Sequence, residues 1–449
     1  MSWASAGLRR GLGNQDLLQG CGEMLGRFGC RGFASTAGSS RLVALAGSLV
    51  QNDMDSAQRS ALAQQFSDAY RELPLADRKE VIVGIAGMRP SPDVARESLE
   101  RALGNLQQHP GTLEVLRSEL IPQHEPLVES IMNDTDGMRF VLELRADLLR
   151  LCRRDASTTP EMAAAIETLD ASLLATLSRW FTEGFLELRR ITYEGTSGSI
   201  LEKITRHEAV HPVRDLEDLK ERLGAGRRCF AFFHPCLRDT PLVFVNVALT
   251  PELATSMQSI SDWTGAAADE SRARAAMFYS INQTQPGLRG VNLGNFLIKR
   301  VVRLLRSEWP DLETFSTLSP VPGFMNWLRK QITEQSDTLV TLLTPEDHAA
   351  VAEACAALAV DYKQGEDAVL LELLERQWAQ NDDVKTALRP LLLRLAFRYL
   401  YHEKRRGHAT DPVMNFHLRN GATFERLNFE ADLSPKGMRN SAGIMVNYK

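Results

Sequence analysis

Hydrophobic and polar positions divide the chain into a helical first half and a mixed second half. In the segment 56–73, Leu62, Phe66 and Tyr70 recur every four residues, which places them on one face of a helix. The same periodicity, broken at prolines, predicts further helices over 77–88, 93–108, 112–120, 137–154 and 160–190. The pattern predicts an all-α bundle over residues 41–190, which we expect to serve packing or the assembly of a homo-oligomer.

The pattern changes near Thr192, where short runs rich in β-branched and aromatic residues begin. Such runs are typical of strands, and they lie at 228–233, 241–249, 275–283 and 312–319. An amphipathic helix over 295–309 separates the last two runs, and helices dominate again from Pro322 to about Lys404. A strand, a glycine-containing loop, a helix and a further strand form an α/β or α+β unit. We therefore expect a second, mixed domain over residues 191–449.

The composition is that of a globular protein large enough for two or three cores. Of the 449 residues, 44% are hydrophobic and 24% are charged, which excludes global disorder. The formal net charge of −5 argues against a general nucleic-acid binder, and no uncharged apolar run approaches the roughly 18 residues that span a bilayer. The six cysteines form no C-x-x-C pair and the nine histidines show no metal-binding spacing, so we expect reduced, mostly buried thiols and no metal site.

The first forty residues differ from the remainder in charge. They hold four arginines, no lysine and two acids, Asp16 and Glu23, which gives four positive and two negative charges. An arginine-rich, acid-poor, serine-containing leader is typical of a mitochondrial transit peptide, and the sequence RGFAS (31–35) resembles a processing site. We predict that residues 1–40 are a transit peptide and that the protein is located in the mitochondrial matrix. The alternative is a disordered tail on a cytoplasmic protein.

A glycine-containing loop, QPGLRGVNLG (285–294), joins the third strand run to the next helix. Glycines let backbone N–H groups approach an anion closely, and the helix offers unpaired N–H groups and the positive end of its dipole. Arg289 would add a charge, and Lys299 and Arg300 would steer a phosphorylated ligand. The loop is neither a Walker loop nor a dinucleotide fingerprint, so alone it predicts either a phosphate site or a plain connection.

Several long blocks of the second half resemble one family. They read EAVHPV (208–213), FYSINQTQPGLRGVNLGNFLIKRVV (278–302), FSTLSPVPGF (315–324), YLYHEKRRGHATDPVMNFHLRNGA (399–422) and SPKGMRNSAGIMVNY (434–448). Together, over about 190–448, these blocks resemble the malonyl-CoA decarboxylases. The resemblance implies a helical N-terminal domain followed by an α+β, GNAT-type acyl-CoA-binding catalytic domain. It also implies conversion of malonyl-CoA to acetyl-CoA and CO2 without a cofactor.

The resemblance also assigns site residues. The family's catalytic serine and histidine fall on Ser319 and His417, which implies a Ser–His pair with His417 as the proton donor to C2. Without the resemblance, Ser319 would cap a turn stiffened by Pro320 and Pro322, and His417 would be a buried structural histidine. The resemblance further implies that a loop binds the diphosphate of coenzyme A through Arg289, Gly290, Val291, Asn292, Leu293, Gly294 and Asn295.

The chemistry of the implied reaction makes three demands on the protein. Loss of CO2 leaves the enolate of acetyl-CoA, so the protein must place the carboxylate, stabilise the oxyanion and protonate the carbon. The thioester itself accepts the electron pair. Two other functions remain open: a GNAT-type acyltransferase that uses the same loop with a second substrate, and a non-catalytic acyl-CoA sensor. Product analysis separates these alternatives, because release of CO2 without an acceptor would favour the decarboxylase.

Five other candidate side chains are expected to have lesser roles. His402 and His408 lie in the charged stretch EKRRGH, which is typical of a solvated or phosphate-facing surface. His211 precedes a proline and is expected to be structural. His234 and Cys236 follow a strand, where a structural role is favoured over a place in the substrate site.

Overall fold

The computed structural model describes residues 37–50, 54–88, 92–105, 112–152, 158–262, 269–334, 342–362, 367–376 and 378–449. The chain divides into two compact units. One, here called the helical unit, comprises residues up to Leu186 together with 234–238 and 285–292. The other, the α+β unit, comprises 187–233, 239–284 and 293–449. Residues 1–36 of the predicted transit peptide lie outside the described residues.

Eight helices form the described part of the helical unit. They are α1 (Ala37–Leu49), α2 (Ser56–Glu72), α3 (Leu75–Ala86), α4 (Pro92–Asn105), α5 (Thr112–Leu120), α6 (His124–Met132), α7 (Gly137–Leu151) and α8 (Pro160–Trp180). Helix α2 begins at a capping box in which Asp55 and Gln58 satisfy each other's backbone N–H groups. The predicted apolar face of α2 is buried, and the rings of Phe66 and Tyr70 both meet Phe140 of α7 edge to face.

Three features of this region differ from the expectation. Helices α1 and α6 were not predicted, and the helix expected over 160–190 ends at Trp180. The apolar residues beyond Trp180 suggested a continued helical stripe, but the segment Glu187–Ile191 is a strand. Its residues pair in antiparallel register with a neighbouring strand, from Glu187 opposite Phe233 to Ile191 opposite Cys229. Long-range pairing has therefore overridden the local periodicity.

The main sheet of the α+β unit has five strands in the order β1–β2–β3–β4–β5. These are β1 (Glu187–Ile191), β2 (Arg227–Phe233), β3 (Val243–Thr250), β4 (Ala275–Gln283) and β5 (Thr314–Thr317). Strands β1 to β4 are antiparallel neighbours, whereas β4 and β5 are parallel. The parallel pair is joined by α12 (Leu293–Glu308), because parallel neighbours need a crossover connection.

Strands β2, β3 and β4 follow the sequence pattern closely. Every residue of β2 and β3 is buried, in agreement with their continuous apolar runs. The run predicted over 312–319 is two strands rather than one, because Thr314–Thr317 pairs with β4 whereas Ser319 pairs with Val446 near the end of the chain. Ser319 then begins a second, three-stranded sheet with the order β6–β10–β9. Its strands are β6 (Ser319–Pro320), β9 (Phe424–Asn428) and β10 (Met445–Tyr448).

The rest of the α+β unit is helical apart from a short hairpin, β7 (Lys404–Arg405) and β8 (His408–Ala409). Its helices are α9 (Gly198–His207), α10 (Leu216–Leu223), α11 (Met257–Asp262), α13 (Phe324–Glu334), α14 (Pro345–Ala357), α15 (Ala368–Glu375), α16 (Asp382–His402), α17 (Pro412–Arg419) and α18 (Pro435–Ser441). One apolar cluster joins the helices that follow Val321 to Val446 and Tyr448 of β10. It also contains Met414 of α17, so it packs against two elements of the site described below. Among the described helices, none has the length and hydropathy needed to cross a membrane.

Candidate active site

A serine and a histidine that lie far apart in the sequence meet in the α+β unit. Ser319 Oγ lies 3.0 Å from His417 Nε2. Ser319 begins β6, and His417 lies in the last turn of α17. Both residues are buried, with 6% of their surface exposed. The fold thus brings together the two side chains that the family resemblance implies as a catalytic pair.

The helix that carries His417 is fixed by a buried acid at its start. Asp411 is 1% exposed, and its carboxylate accepts hydrogen bonds from the N–H groups of Val413 and Met414. The hydroxyl of Tyr399 donates to the same carboxylate at 3.3 Å. Burial raises the pKa of Asp411, while the backbone N–H groups oppose that rise. This cap satisfies N–H groups that a helix start leaves unpaired, and so it fixes where α17 begins.

The imidazole of His417 lies between two aromatic rings. The ring of Tyr448 stacks on it with centroids 4.4 Å apart and planes 21° apart, and Phe416 meets it edge-on. Tyr448 ends β10, which pairs with β6 so that Val446 is opposite Ser319. Because the same strand holds Ser319 and carries the stacking ring, both partners of the pair are positioned by β10.

Burial determines the protonation state of this histidine. It lowers the pKa of His417 from 6.5 to about 4, because a buried imidazolium loses its hydration. The ring is therefore neutral near pH 7 in the unliganded protein. An anion bound beside it would raise that pKa again, so the site is suited to take up a proton together with a carboxylate.

Thr317 connects Ser319 to the backbone of β10. The hydroxyl of Ser319 donates to Thr317 Oγ1 at 2.9 Å, and the N–H of Tyr448 donates to the same oxygen at 3.2 Å. Asn447, which is fully buried, donates from its side-chain amide to the Thr317 carbonyl at 2.8 Å. Ser319 therefore has two polar neighbours: His417 of α17 and Thr317 of β5, which β10 holds.

The predicted diphosphate loop is divided between the two units. Residues 289–292 group with the helical unit, whereas residues 293–295 belong to the α+β unit. The N–H groups of Arg289 and Val291 donate to the carbonyls of Pro286 and Leu288, so neither is available to an anion. Gly290 has a φ of +95°, a conformation that favours glycine. In the helical unit, the side chain of Arg289 is exposed.

A buried arginine of α7 holds the first part of this loop. Nη1 of Arg145 donates to the carbonyls of Gly287 and Arg289, and its Nε pairs with Asp170 at 2.8 Å. Arg145 is only 2% exposed. A Cβ on Gly287 would lie 2.2 Å from the Leu142 carbonyl oxygen, so glycine is required for this close approach. The loop conformation is thus set by contacts within the helical unit.

The second part of the loop is the first turn of α12. This helix begins at Leu293, two residues earlier than the pattern predicted, so Leu293, Gly294 and Asn295 all lie in its first turn. N–H groups of a first turn have no partner within the helix. They form the positive end of the helix dipole. A Cβ on Gly294 would lie 3.2 Å from the ring of Phe416, the neighbour of His417. Within the α+β unit, the start of α12 is therefore close to the helix that carries His417.

The remaining polar candidates make contacts of their own or are exposed. The main-chain N–H of His211 donates to the buried carboxylate of Glu208, and His234 caps a turn through the Cys236 N–H. His402 and His408 are exposed. The four cysteines within the described ranges, Cys152, Cys229, Cys236 and Cys355, carry free thiols. Nowhere in the described ranges do three or more potential ligands gather into a metal site.

Sequence reasoning missed four residues that support the site: Thr317, Asp411, Tyr448 and Arg145. Two of them carried a local signal. Thr317 is two residues before Ser319, which places both on one face of an extended chain, and Asp411 before a proline is typical of a helix start. Tyr448 and Arg145 act across long sequence separations, so the sequence pattern gave no indication of them.

The fold and the site together define a class of protein. A helical unit accompanies an α+β unit, whose parallel β4–α12–β5 connection leads directly to Ser319 of the buried Ser–His pair. The family models identify the class more closely. The malonyl-CoA decarboxylase C-terminal domain matches residues 184–449, and the N-terminal domain of the same family matches residues 92–181. The chain belongs to the malonyl-CoA decarboxylase family, whose members are carboxy-lyases.

Individual relatives agree with this assignment. The chain is 40% identical over 338 residues to the mitochondrial malonyl-CoA decarboxylase of Rattus norvegicus, a match that covers 74% of this chain and 66% of the rat protein. It is 36% identical to the Anser anser anser protein of the same name, over 86% of this chain and 77% of that one. The crystal structure of the Rhodopseudomonas palustris malonyl-CoA decarboxylase aligns with a TM-score of 0.76 at 33% identity, covering 91% of this chain and 92% of that one. The Agrobacterium vitis structure aligns with a TM-score of 0.77 over the same shares.

Proposed function

We propose that the chain decarboxylates malonyl-CoA to acetyl-CoA and CO2, with Ser319 and His417 as the reacting pair. The observation that carries this proposal is the 3.0 Å contact between Ser319 Oγ and His417 Nε2 in a buried site. Both the family and the relatives named above are malonyl-CoA decarboxylases, which supports the choice of substrate.

The reaction needs no covalent intermediate. The bond between C2 and the carboxylate carbon breaks, CO2 leaves, and the electron pair passes into the thioester as an enolate. His417 then donates a proton to C2 and recovers one from solvent, so each turnover consumes one proton. Ser319 contributes a hydrogen bond in the site, rather than acting as a nucleophile.

The protonation state of His417 fits this role. Its pKa of about 4 in the unliganded protein makes the ring neutral near pH 7. The carboxylate of a bound malonyl group is an anion that would raise this pKa. Substrate binding would thereby load the ring with the proton that C2 requires.

We infer that residues 289–295 hold the diphosphate of coenzyme A, as the family resemblance implies. The first-turn N–H groups of α12, from Leu293 to Asn295, are the donors that support this role. The exposed guanidinium of Arg289 would add a screened, salt-sensitive contribution.

A product assay tests the proposed reaction. The purified full chain is incubated with malonyl-CoA and no acceptor, and CO2 and acetyl-CoA are both quantified. We expect equal amounts of the two products, with no acyl adduct on Ser319 in mass spectra of quenched enzyme. A requirement for an acceptor would favour the acyltransferase alternative, binding without turnover would favour the sensor, and a malonyl or acetyl adduct on Ser319 would contradict direct decarboxylation.

We propose mitochondrial localisation, with residues 1–40 as the targeting segment. The mitochondrial naming of the rat and goose relatives supports this, as does the excess of arginine in the leader. A fluorescent reporter fused after residue 40 should enter mitochondria, and the chain without those residues should retain its activity. A reporter that stays in the cytosol would contradict the proposal.

We propose that residues 41–190 form an assembly domain and residues 191–449 a catalytic domain. Exposed apolar side chains on α4 and α5 support assembly through the helical part: Leu99, Leu103, Leu113 and Val115 are each between 45% and 71% exposed. Light scattering on the full chain should give a homo-oligomer, and the Leu103→Asp change should lower its mass. An unchanged mass in the variant, or a monomer in the parent chain, would contradict this.

A further inference from the structure

The hydroxyl of Ser319 has two polar neighbours and only one proton to donate. Its oxygen lies 2.9 Å from Thr317 Oγ1 and 3.0 Å from His417 Nε2. A serine hydroxyl donates one hydrogen bond and accepts up to two. If it donates to one neighbour, it can only accept from the other, so the direction of one bond fixes the direction of the second.

The geometry of the Ser319–Thr317 hydrogen bond gives this direction. The structure has Ser319 as the donor and Thr317 Oγ1 as the acceptor. Thr317 itself is held on both sides: its side-chain oxygen receives the N–H of Tyr448, and its carbonyl receives the side-chain amide of Asn447. Its main chain pairs with Phe278 in the parallel ladder between β4 and β5. Thr317 is therefore a fixed acceptor at the end of a rigid strand.

With its proton directed to Thr317, Ser319 presents a lone pair to His417. The neutral imidazole carries a single N–H, on either Nδ1 or Nε2. Only the tautomer with the proton on Nε2 can donate to that lone pair. The same arrangement suits the imidazolium, which donates from both nitrogens and so requires Ser319 to direct its own proton elsewhere.

We propose that Thr317 is a positioning residue that keeps Ser319 oriented as an acceptor, so that His417 holds its proton on Nε2. This inference rests on the proposed function, in which that proton is the one delivered to C2. Without the Thr317 hydroxyl, the Ser319 proton turns to Nε2, and the histidine proton moves to Nδ1, away from Ser319. The pair remains in contact in the unliganded variant, but Ser319 must turn its proton away from Nε2 before the substrate-bound imidazolium can form.

The test compares Thr317→Val, which keeps the shape but removes the hydroxyl, with Thr317→Ser, which keeps the hydroxyl. Nitrogen NMR of histidine-labelled full chain, with the His417 signals assigned from their loss in His417→Asn, reports the tautomer directly. We expect the Nε2–H form in the parent chain and in Thr317→Ser, and the Nδ1–H form in Thr317→Val. The kcat of Thr317→Val should fall about 3–10-fold, the effect of one neutral hydrogen bond, with KM unchanged.

The outcomes separate this inference from the proposed function. The role of Thr317 is overturned if Thr317→Val keeps both the tautomer and the kcat of the parent chain. If His417→Asn is inactive in the same experiment, the proposed reaction still stands. An active His417→Asn would overturn the reaction itself. A fall in kcat without a change of tautomer would also contradict the positioning role. If Thr317→Val does not fold, Thr317→Ala, which only removes atoms, gives the same two readouts.

Discussion

The hydroxyl of Ser319 connects the reacting histidine, His417, to Thr317 of strand β5. The oxygen is close to both His417 Nε2 and Thr317 Oγ1, and the residue is almost completely buried. A direct decarboxylation requires this group only as a hydrogen-bonding partner, whereas a covalent route would require it as a nucleophile. Substitutions that keep or remove the hydroxyl therefore separate the two mechanisms.

The Ser319→Ala change should lower kcat by about 10–150-fold. This corresponds to the loss of one hydrogen bond to a charged group, roughly 1.5–3 kcal/mol. Ser319→Thr retains the hydroxyl and should keep measurable decarboxylation, although its extra methyl group enters a buried site. Acetyl-CoA formation by both variants is the measurement, with thermal unfolding as the control for folding. Full activity in a folded Ser319→Ala would exclude the hydroxyl from the mechanism.

At the scale of single elements, two contacts fix the segments that the proposal depends on. Helix α17 begins where Asp411 caps it, and the loop that ends at Asn292 takes its shape from Arg145. Neither residue belongs to the reacting pair. Substitution of either one should therefore change activity by moving the helix or the loop that it holds.

The Asp411→Ala change should loosen α17 and misplace His417. Removing an N-terminal cap costs about 0.5–2 kcal/mol, and here it also leaves the Tyr399 hydroxyl without its acceptor. We expect a lower melting temperature and a reduced kcat with little change in KM. Asp411→Asn keeps one acceptor oxygen and serves as the matched control, so it should lie between the alanine variant and the parent chain. A kcat in Asp411→Ala equal to that of the parent would show that the cap does not position His417.

The Arg145→Lys change should weaken the binding of malonyl-CoA more than its turnover. Lysine keeps the positive charge beside Asp170, but it lacks the fork that reaches two carbonyls at once. The part of the loop that Arg145 holds carries the exposed Arg289, whose contribution to diphosphate binding is screened, so KM should rise a few-fold while kcat stays near the parent value. Steady-state kinetics measure both constants. A fall in kcat alone would contradict a role in holding the loop.

Local patterns predicted the elements well and the contacts between distant elements poorly. The strand over 275–283 was predicted at its observed bounds because it combines apolar, aromatic and β-branched residues and is followed by a proline- and glycine-containing loop. The helix over 160–190 was predicted too long, since only pairing with β2 reveals that 187–191 is extended. Ser319 and His417 were linked by family resemblance, because a contact across 98 positions leaves no local signal. The ring of Tyr448 and the guanidinium of Arg145 are known only from the fold.

At the scale of the whole molecule, stability depends on histidines that are buried as neutral rings. In the helical unit His124 is fully buried, and neither of its ring nitrogens has a hydrogen-bond partner. Burial lowers the pKa of His124 from 6.5 to about 4. Below pH 6.5 the unfolded chain binds a proton there that the folded chain does not bind until about pH 4. The stability contributed by the neutral ring is therefore complete above pH 6.5 and is lost as the pH falls towards 4.

The His124→Leu change should reduce the sensitivity of the fold to acid. Between pH 7 and pH 5 the free energy of unfolding of the parent chain should fall by about 2 kcal/mol through this one residue. The total fall should be smaller by that amount in the leucine variant. Urea unfolding of the full chain at both pH values, followed by circular dichroism, measures the difference. The exposed His402→Leu is the matched control and should behave as the parent. Equal losses in the parent and in His124→Leu would contradict the account.

The central claim is that His417 delivers the proton to C2, and turnover by His417→Asn tests it most directly. Asparagine can still hydrogen-bond to Ser319, but it cannot donate a proton as an acid. We predict that kcat falls by about 10²–10⁴-fold, the usual contribution of a general acid, while calorimetry shows unchanged affinity for malonyl-CoA. Near-normal formation of acetyl-CoA and CO2 by a folded His417→Asn protein would contradict the claim.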